Sequence, residues 1–106
     1  MNIFKFGGAS VKDAEGVRNL ASILERIKEY NPVVVISAMG KTTNNLEKVA
    51  RSFYLKLDNA FEELNKVKLF HTTILSELFK KGHPVFDEVT NLFVEVEWAL
   101  EDEPRP

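Results

Sequence analysis

Hydrophobic positions change period along the chain, and the changes mark out its elements. Ile3-Phe4-Lys5-Phe6 is short, aromatic and β-prone, which predicts a strand buried on both faces in which Lys5 is the one misfit. Val17, Leu20, Ala21, Leu24 and Ile27 then recur at helical spacing, predicting a helix over about 13–30 with Ser10 or Asp13 as its cap. Asn31-Pro32 ends it, and Val33-Val34-Val35-Ile36 is a continuous β-branched run of the kind found in buried parallel strands. Strand, helix and strand make a βαβ unit of α/β class. Its right-handed crossover sets the strands parallel and opens the loops that follow them, at 7–10 and 37–44, on the same edge. From Asn44 the period is helical. Leu46, Val49, Ala50, Phe53 and Leu57 form one stripe. Phe61, Leu64, Val67, Leu75, Leu78 and Phe79 form another after a break at Asp58-Asn59, predicting helices over roughly 44–57 and 59–80. Lys81-Gly82-His83-Pro84 stops one helix and starts the next, whose face of Val85, Val89, Leu92, Phe93, Val96 and Leu100 runs to about residue 102. The polar, proline-rich stretch 101–106 reads as a linker or loop.

Two parallel strands with four helices leave sheet edges unpaired and apolar faces uncovered, so the sheet is expected to need more strands and the chain reads as a fragment. Its 106 residues allow at most one small domain, with about 60–70% of the extended surface buried. There is no internal repeat or low-complexity segment. A net charge of -2, from 14 basic and 16 acidic residues, gives no electrostatic reason to expect nucleic acid. With no cysteine there is neither a disulfide framework nor a thiolate metal site, which fits a cytoplasmic protein. No apolar run approaches membrane-spanning length and no signal peptide is visible, so no membrane partner is expected.

The candidate chemistry sits where the first strand ends, at Lys5-Phe6-Gly7-Gly8. Two residues without a Cβ let the backbone approach a ligand, and a helix starting there would point its free N–H groups at the turn. A helix dipole contributes about 0.3–1 kcal/mol and a lysine on a phosphate oxygen about 1.5–3 kcal/mol, so Lys5 is expected to dominate a phosphate cradle. The plainer alternative is a ligand-free turn with Lys5 snorkelling from an edge strand to water. Gly40-Lys41-Thr42 ends like a Walker A loop, but that motif needs a glycine where the chain has Val35, which excludes a P-loop. Lys41 reads as a solvated loop lysine. His71 and His83 lack metal-ligand spacing and read as structural, and no metal ligand is assigned. Glu95-Val96-Glu97 and Glu101-Asp102-Glu103 read as solvated faces; Trp98 and the helical aromatics Phe53, Tyr54, Phe61, Phe70, Phe79, Phe86 and Phe93 read as packing.

Lys5 to Val11, K-F-G-G-A-S-V, resembles the N-terminal signature of aspartate kinases, usually K-F-G-G-T-S-V, with Ala9 at the place of the common threonine. Val33 to Asn44, V-V-V-I-S-A-M-G-K-T-T-N, resembles the second strand and loop of the same family. The resemblance runs from Ile3 to about Val49 and carries no motif beyond. It implies an amino-acid-kinase-type three-layer sandwich, of which residues 1–106 are the N-terminal segment of an incomplete kinase domain whose regulatory domains are absent. It also implies the reaction: transfer of the γ-phosphoryl group of ATP to the side-chain carboxylate of L-aspartate, the first step of lysine, threonine and methionine biosynthesis. By this match Lys5 contacts the ATP phosphates and the developing charge, and Gly7 and Gly8 are phosphate-loop glycines. Thr43 contacts aspartate, and Ser37 is the serine at the end of the second strand. Without the match, both hydroxyls read as ordinary helix caps, and Asn44 as the cap itself. Mg2+ is implied by the reaction without a ligand here. A homo-oligomer is expected, and the segment alone is expected to be inactive, because the family's later acidic residue, arginine, lysine and aspartate have no counterpart. Two rivals remain: another carboxylate kinase such as an acetylglutamate or glutamate kinase, against which the combined motifs argue, and a non-catalytic module in which the helices of 44–102 dock a partner. The module should ignore nucleotide and tolerate Lys5→Ala.

Overall fold

The computed structural model describes residues 2–101. It has β1 (Ile3–Phe6), α1 (Ala14–Ile27), β2 (Val33–Ile36), α2 (Thr42–Tyr54), α3 (Ala60–Leu78) and α4 (Pro84–Leu100), with 3-10 turns at Gly8–Val11 and Lys28–Tyr30. The α/β class and the order of a parallel βαβ unit followed by three helices are as expected. The chain divides into two compact units, Met1–Thr42 and Thr43–Pro106. The linker expected at 101–106 lies, beyond Glu101, outside the described residues.

In the first unit the 3-10 turn that follows the glycine pair is anchored by buried Val11. Asp13 then takes extended backbone and its Oδ1 accepts from the Gly16 N–H at 2.8 Å, so α1 begins at Ala14 with Glu15 in its first turn and Arg26 in its last, each favourable to the helix dipole. Asn31, in the left-handed region at φ 48°, turns the chain out of the second 3-10 turn, and Pro32 leads into β2. β1 and β2 pair in parallel with Ile3 opposite Val33 and Lys5 opposite Val35.

The expected two-sided burial of these strands is not what the structure shows. β1 alternates exposed and half-buried, and Val33, Val35 and Ile36 of β2 are 42%, 46% and 52% exposed. Parallel strands are buried when neighbouring strands and helices cover both faces, and here the sheet among the described residues has two strands. Ile3, Lys5, Val33 and Val35 therefore share an open face. Lys5 is an exposed residue on that face and not a charge trapped in a core.

In the second unit α2 stops at Tyr54, earlier than Leu57, because Lys56 adopts φ 58° and the Leu57 N–H bonds back to the Ser52 carbonyl. Leu64, Val67 and Ile74 of α3 are buried. Pro84 stands in the first turn of α4 as expected, and His83 Nδ1 accepts from the Val85 N–H at 3.0 Å; α3, however, ends at Leu78 with Phe79 in extended backbone as its cap, so Gly82, at φ 91°, turns the chain between the helices and does not close α3. Lys68 of α3 and Glu97 of α4 approach to 3.7 Å. Trp98 does not pack: it is 65% exposed, because the half-buried side of α4 runs through Val85, Val89 and Phe93 instead; Tyr54 of α2, Phe61 of α3 and Phe79 at the end of α3 are also exposed, to smaller degrees.

Candidate functional site

The first-unit candidates gather where the two strands end. The last ladder bond runs from the Ser37 N–H to the Phe6 carbonyl at 3.0 Å, which sets Ser37 beside the entry to the glycine pair. Lys5 lies on β1, two residues before Gly7, is exposed, and has no ion-pair partner among the described residues. One bond further out, the Gly40 N–H donates to the Gly8 carbonyl at 3.2 Å. The loops after β1 and β2 are thus held together within the first unit, as the βαβ topology predicts.

The two glycines differ. Gly7 has φ -84° and ψ 174°, which any residue adopts, and a Cβ there would meet nothing within 4 Å. A Cβ on Gly8 would lie 2.8 Å from the Gly40 carbonyl oxygen and 3.3 Å from that of Ala38. Packing therefore explains Gly8, whereas no described residue fills the space beside Gly7. An exposed lysine next to a backbone stretch with open space is an arrangement that fits a phosphate group.

Two expectations change. The helix start anticipated at the glycine pair is a 3-10 turn; α1 begins at Ala14 and carries its own carboxylate, so its N-terminus adds no free positive end to the turn and Lys5 is left as the charge. Asn44 is not the cap of α2, since the helix begins at Thr42, whose hydroxyl donates to the Met39 carbonyl. Thr43, exposed in the first turn of α2, belongs to the helical unit and is not one of the residues grouped in Met1–Thr42. Gly40 was not marked as a site residue by the pattern of the chain; its signal is a glycine at the left-handed φ of 54°, visible only once the loop is seen.

No group of three His, Asp or Glu side chains that could hold a metal ion occurs among the described residues. His71 Nδ1 is bonded to the Val67 carbonyl at 2.8 Å and His83 caps α4, so both serve structure. A cavity of about 470 Å³ at the α3–α4 turn, lined by Phe79, Lys81, His83 and Asp87 among others, contains none of Lys5, Gly7, Gly8, Ser37 and Thr43.

Residues 1–92 match the amino acid kinase family. The chain is 42% identical over 80 residues to "Aspartokinase 1, chloroplastic" of Arabidopsis thaliana, a match that covers 72% of this chain and 14% of that protein. It is 53% identical over 49 residues to an aspartokinase of Mycolicibacterium smegmatis, covering 44% of this chain and 12% of the relative. Aspartokinase 2 of Bacillus subtilis is 46% identical over 50 residues, covering 45% and 12%. The chain thus spans about one seventh of the length of the plant relative.

Proposed function

Because the chain belongs to the amino acid kinase family, we propose that its first unit is the phosphate-binding part of an aspartate kinase, with ATP as donor and the side-chain carboxylate of L-aspartate as acceptor. The observation that carries this reading is the pair Lys5 and Gly7: a cation without an ion-pair partner among the described residues, beside a glycine that neither its backbone angles nor its neighbours require. Phosphoryl transfer between two anions asks mainly for alignment and for charge on the transferring oxygens. Lys5 supplies the charge, and the backbone at Gly7 gives the phosphate room to approach. Ser37, at the end of β2, offers a hydroxyl to the same region, and Thr43 is assigned to the aspartate by its place in the motif.

Mg2+, which such a transfer uses, finds no cluster of three side-chain ligands among the described residues. The acyl phosphate product, 4-phospho-L-aspartate, would enter lysine, threonine and methionine biosynthesis. The working form is proposed to be a cytoplasmic homo-oligomer of a polypeptide that supplies the rest of the kinase domain, and this segment by itself to be inactive.

ATP binding to this chain, followed by amide shifts, tests the reading. Binding should perturb residues 5–10, and Lys5→Ala should weaken it about tenfold to a hundredfold. Equal affinity in the two chains sinks the assignment of Lys5, and ATP binding confined to the helical unit sinks the whole reading.

A further inference from the structure

We infer that Gly8 and Gly40 form a backbone clasp that fixes the loop after β1 against the loop after β2, and that Gly8 serves the phosphate site as a positioning residue. The clasp stands on geometry alone; its service to a phosphate site rests on the function proposed above. The β1–β2 ladder ends at the bond from the Ser37 N–H to the Phe6 carbonyl, beyond which the two segments leave the sheet toward different helices. One backbone bond spans the gap past that point, from the Gly40 N–H to the Gly8 carbonyl at 3.2 Å.

The approach that permits this bond leaves no room for a side chain on Gly8. The obstacles, the carbonyl oxygens of Gly40 and Ala38 at 2.8 and 3.3 Å from where a Cβ would stand, are both backbone and cannot rotate away. Gly40 contributes the other half: at φ 54° it takes the left-handed conformation that L side chains disfavour by about 1 kcal/mol or more. The two adjacent glycines therefore divide their tasks. Gly7 leaves space for something outside the chain, and Gly8 closes a contact inside it. Lys5 and Ser37 are held by the ladder itself, but the segments past it, Gly7–Gly8 and Ala38–Gly40, keep a fixed separation only if the two loops do not swing independently. A bond just beyond the ladder supplies that restraint.

Amide hydrogen exchange on the ¹⁵N-labelled chain tests the clasp. In the unaltered chain the Gly40 amide should be protected by at least about tenfold; exchange at the rate of an open loop overturns the clasp without recourse to any variant. In Gly8→Ala, Gly40 should lose its protection while Ser37, in the ladder, keeps its own. Equal losses at both would mean general destabilisation and overturn the local role, and Gly7→Ala should change neither. ATP then separates the two halves of the inference. Shifts that reach residues 38–40 in the unaltered chain but remain within 5–10 in Gly8→Ala support positioning, and the same spread in both chains overturns it. If the unaltered chain shows no response to ATP, the phosphate reading and the positioning role fall together, while exchange at Gly40 still decides the clasp.

Discussion

Gly16 sits in the first turn of α1, where alanine would ordinarily favour the helix by about 1 kcal/mol, yet a Cβ there would stand 2.5 Å from the Ser10 carbonyl oxygen and 3.3 Å from the capping Asp13 Oδ1. Overlap with a backbone oxygen outweighs propensity, since inserting an atom into a filled site costs about 1–3 kcal/mol. Gly16→Ala is accordingly expected to lower stability in urea denaturation, and a gain would show that the turn at Gly8–Val11 yields freely. Gly7→Ala is expected to do the reverse of what its motif suggests for folding. With ordinary backbone angles and empty space around the added methyl, stability should stay within about 0.5 kcal/mol. Affinity for ATP should fall by tenfold or more, as measured by titration, because the methyl occupies the approach a phosphate would use. A stability loss as large as that of Gly16→Ala would mean that the glycine at 7 serves the chain and not a ligand.

Helix starts differ in the same way. Asp13 has the extended backbone of a cap and its carboxylate holds the Gly16 N–H, so Asp13→Ala should cost about 0.5–2 kcal/mol. Asn59 stands at the same place before α3 but at φ -100° and ψ 10°, makes no capping bond, and leaves its Oδ1 buried without a partner. Removing an orphaned acceptor relieves a desolvation cost, so Asn59→Ala should leave the melting temperature unchanged or raise it. A loss equal to that of Asp13→Ala would show that Asn59 caps in solution after all. Such contrasts explain what was legible in the sequence. Each helix was visible as a 3.6-residue stripe, and Gly82-His83-Pro84 marked its turn because glycine and proline carry their backbone preference in their chemistry. The end of α2 was not visible, because the left-handed residue there is Lys56, which has no such preference. The site divides along the same line. Lys5, Gly7 and Gly8 are contiguous and readable as a motif, whereas Gly40 acts through a backbone bond that no residue pattern records.

The whole molecule shows where composition and environment part company. Val33-Val34-Val35-Ile36 has the residues of a strand covered on both sides, but side-chain pattern reports the surroundings a strand suits and not those a two-stranded sheet can provide. The difference has a measurable consequence. Fully burying a valine is worth about 1.5–3 kcal/mol, so Val→Thr in a covered parallel strand gives up much of that. Val35 is 46% exposed on the open face with Ile3 and Lys5, and threonine keeps the β-branched shape. Val35→Thr should therefore cost less than about 0.5 kcal/mol in this chain, whereas Leu64→Ala, at a side chain with 0% exposure, should cost about 2–5 kcal/mol. Urea denaturation of the two variants, repeated at two protein concentrations, checks both values. Should Val35→Thr cost more than about 1.5 kcal/mol, with the loss growing at the higher concentration, then a second molecule covers the open face in solution. In that case the environment its composition suits would be supplied by association.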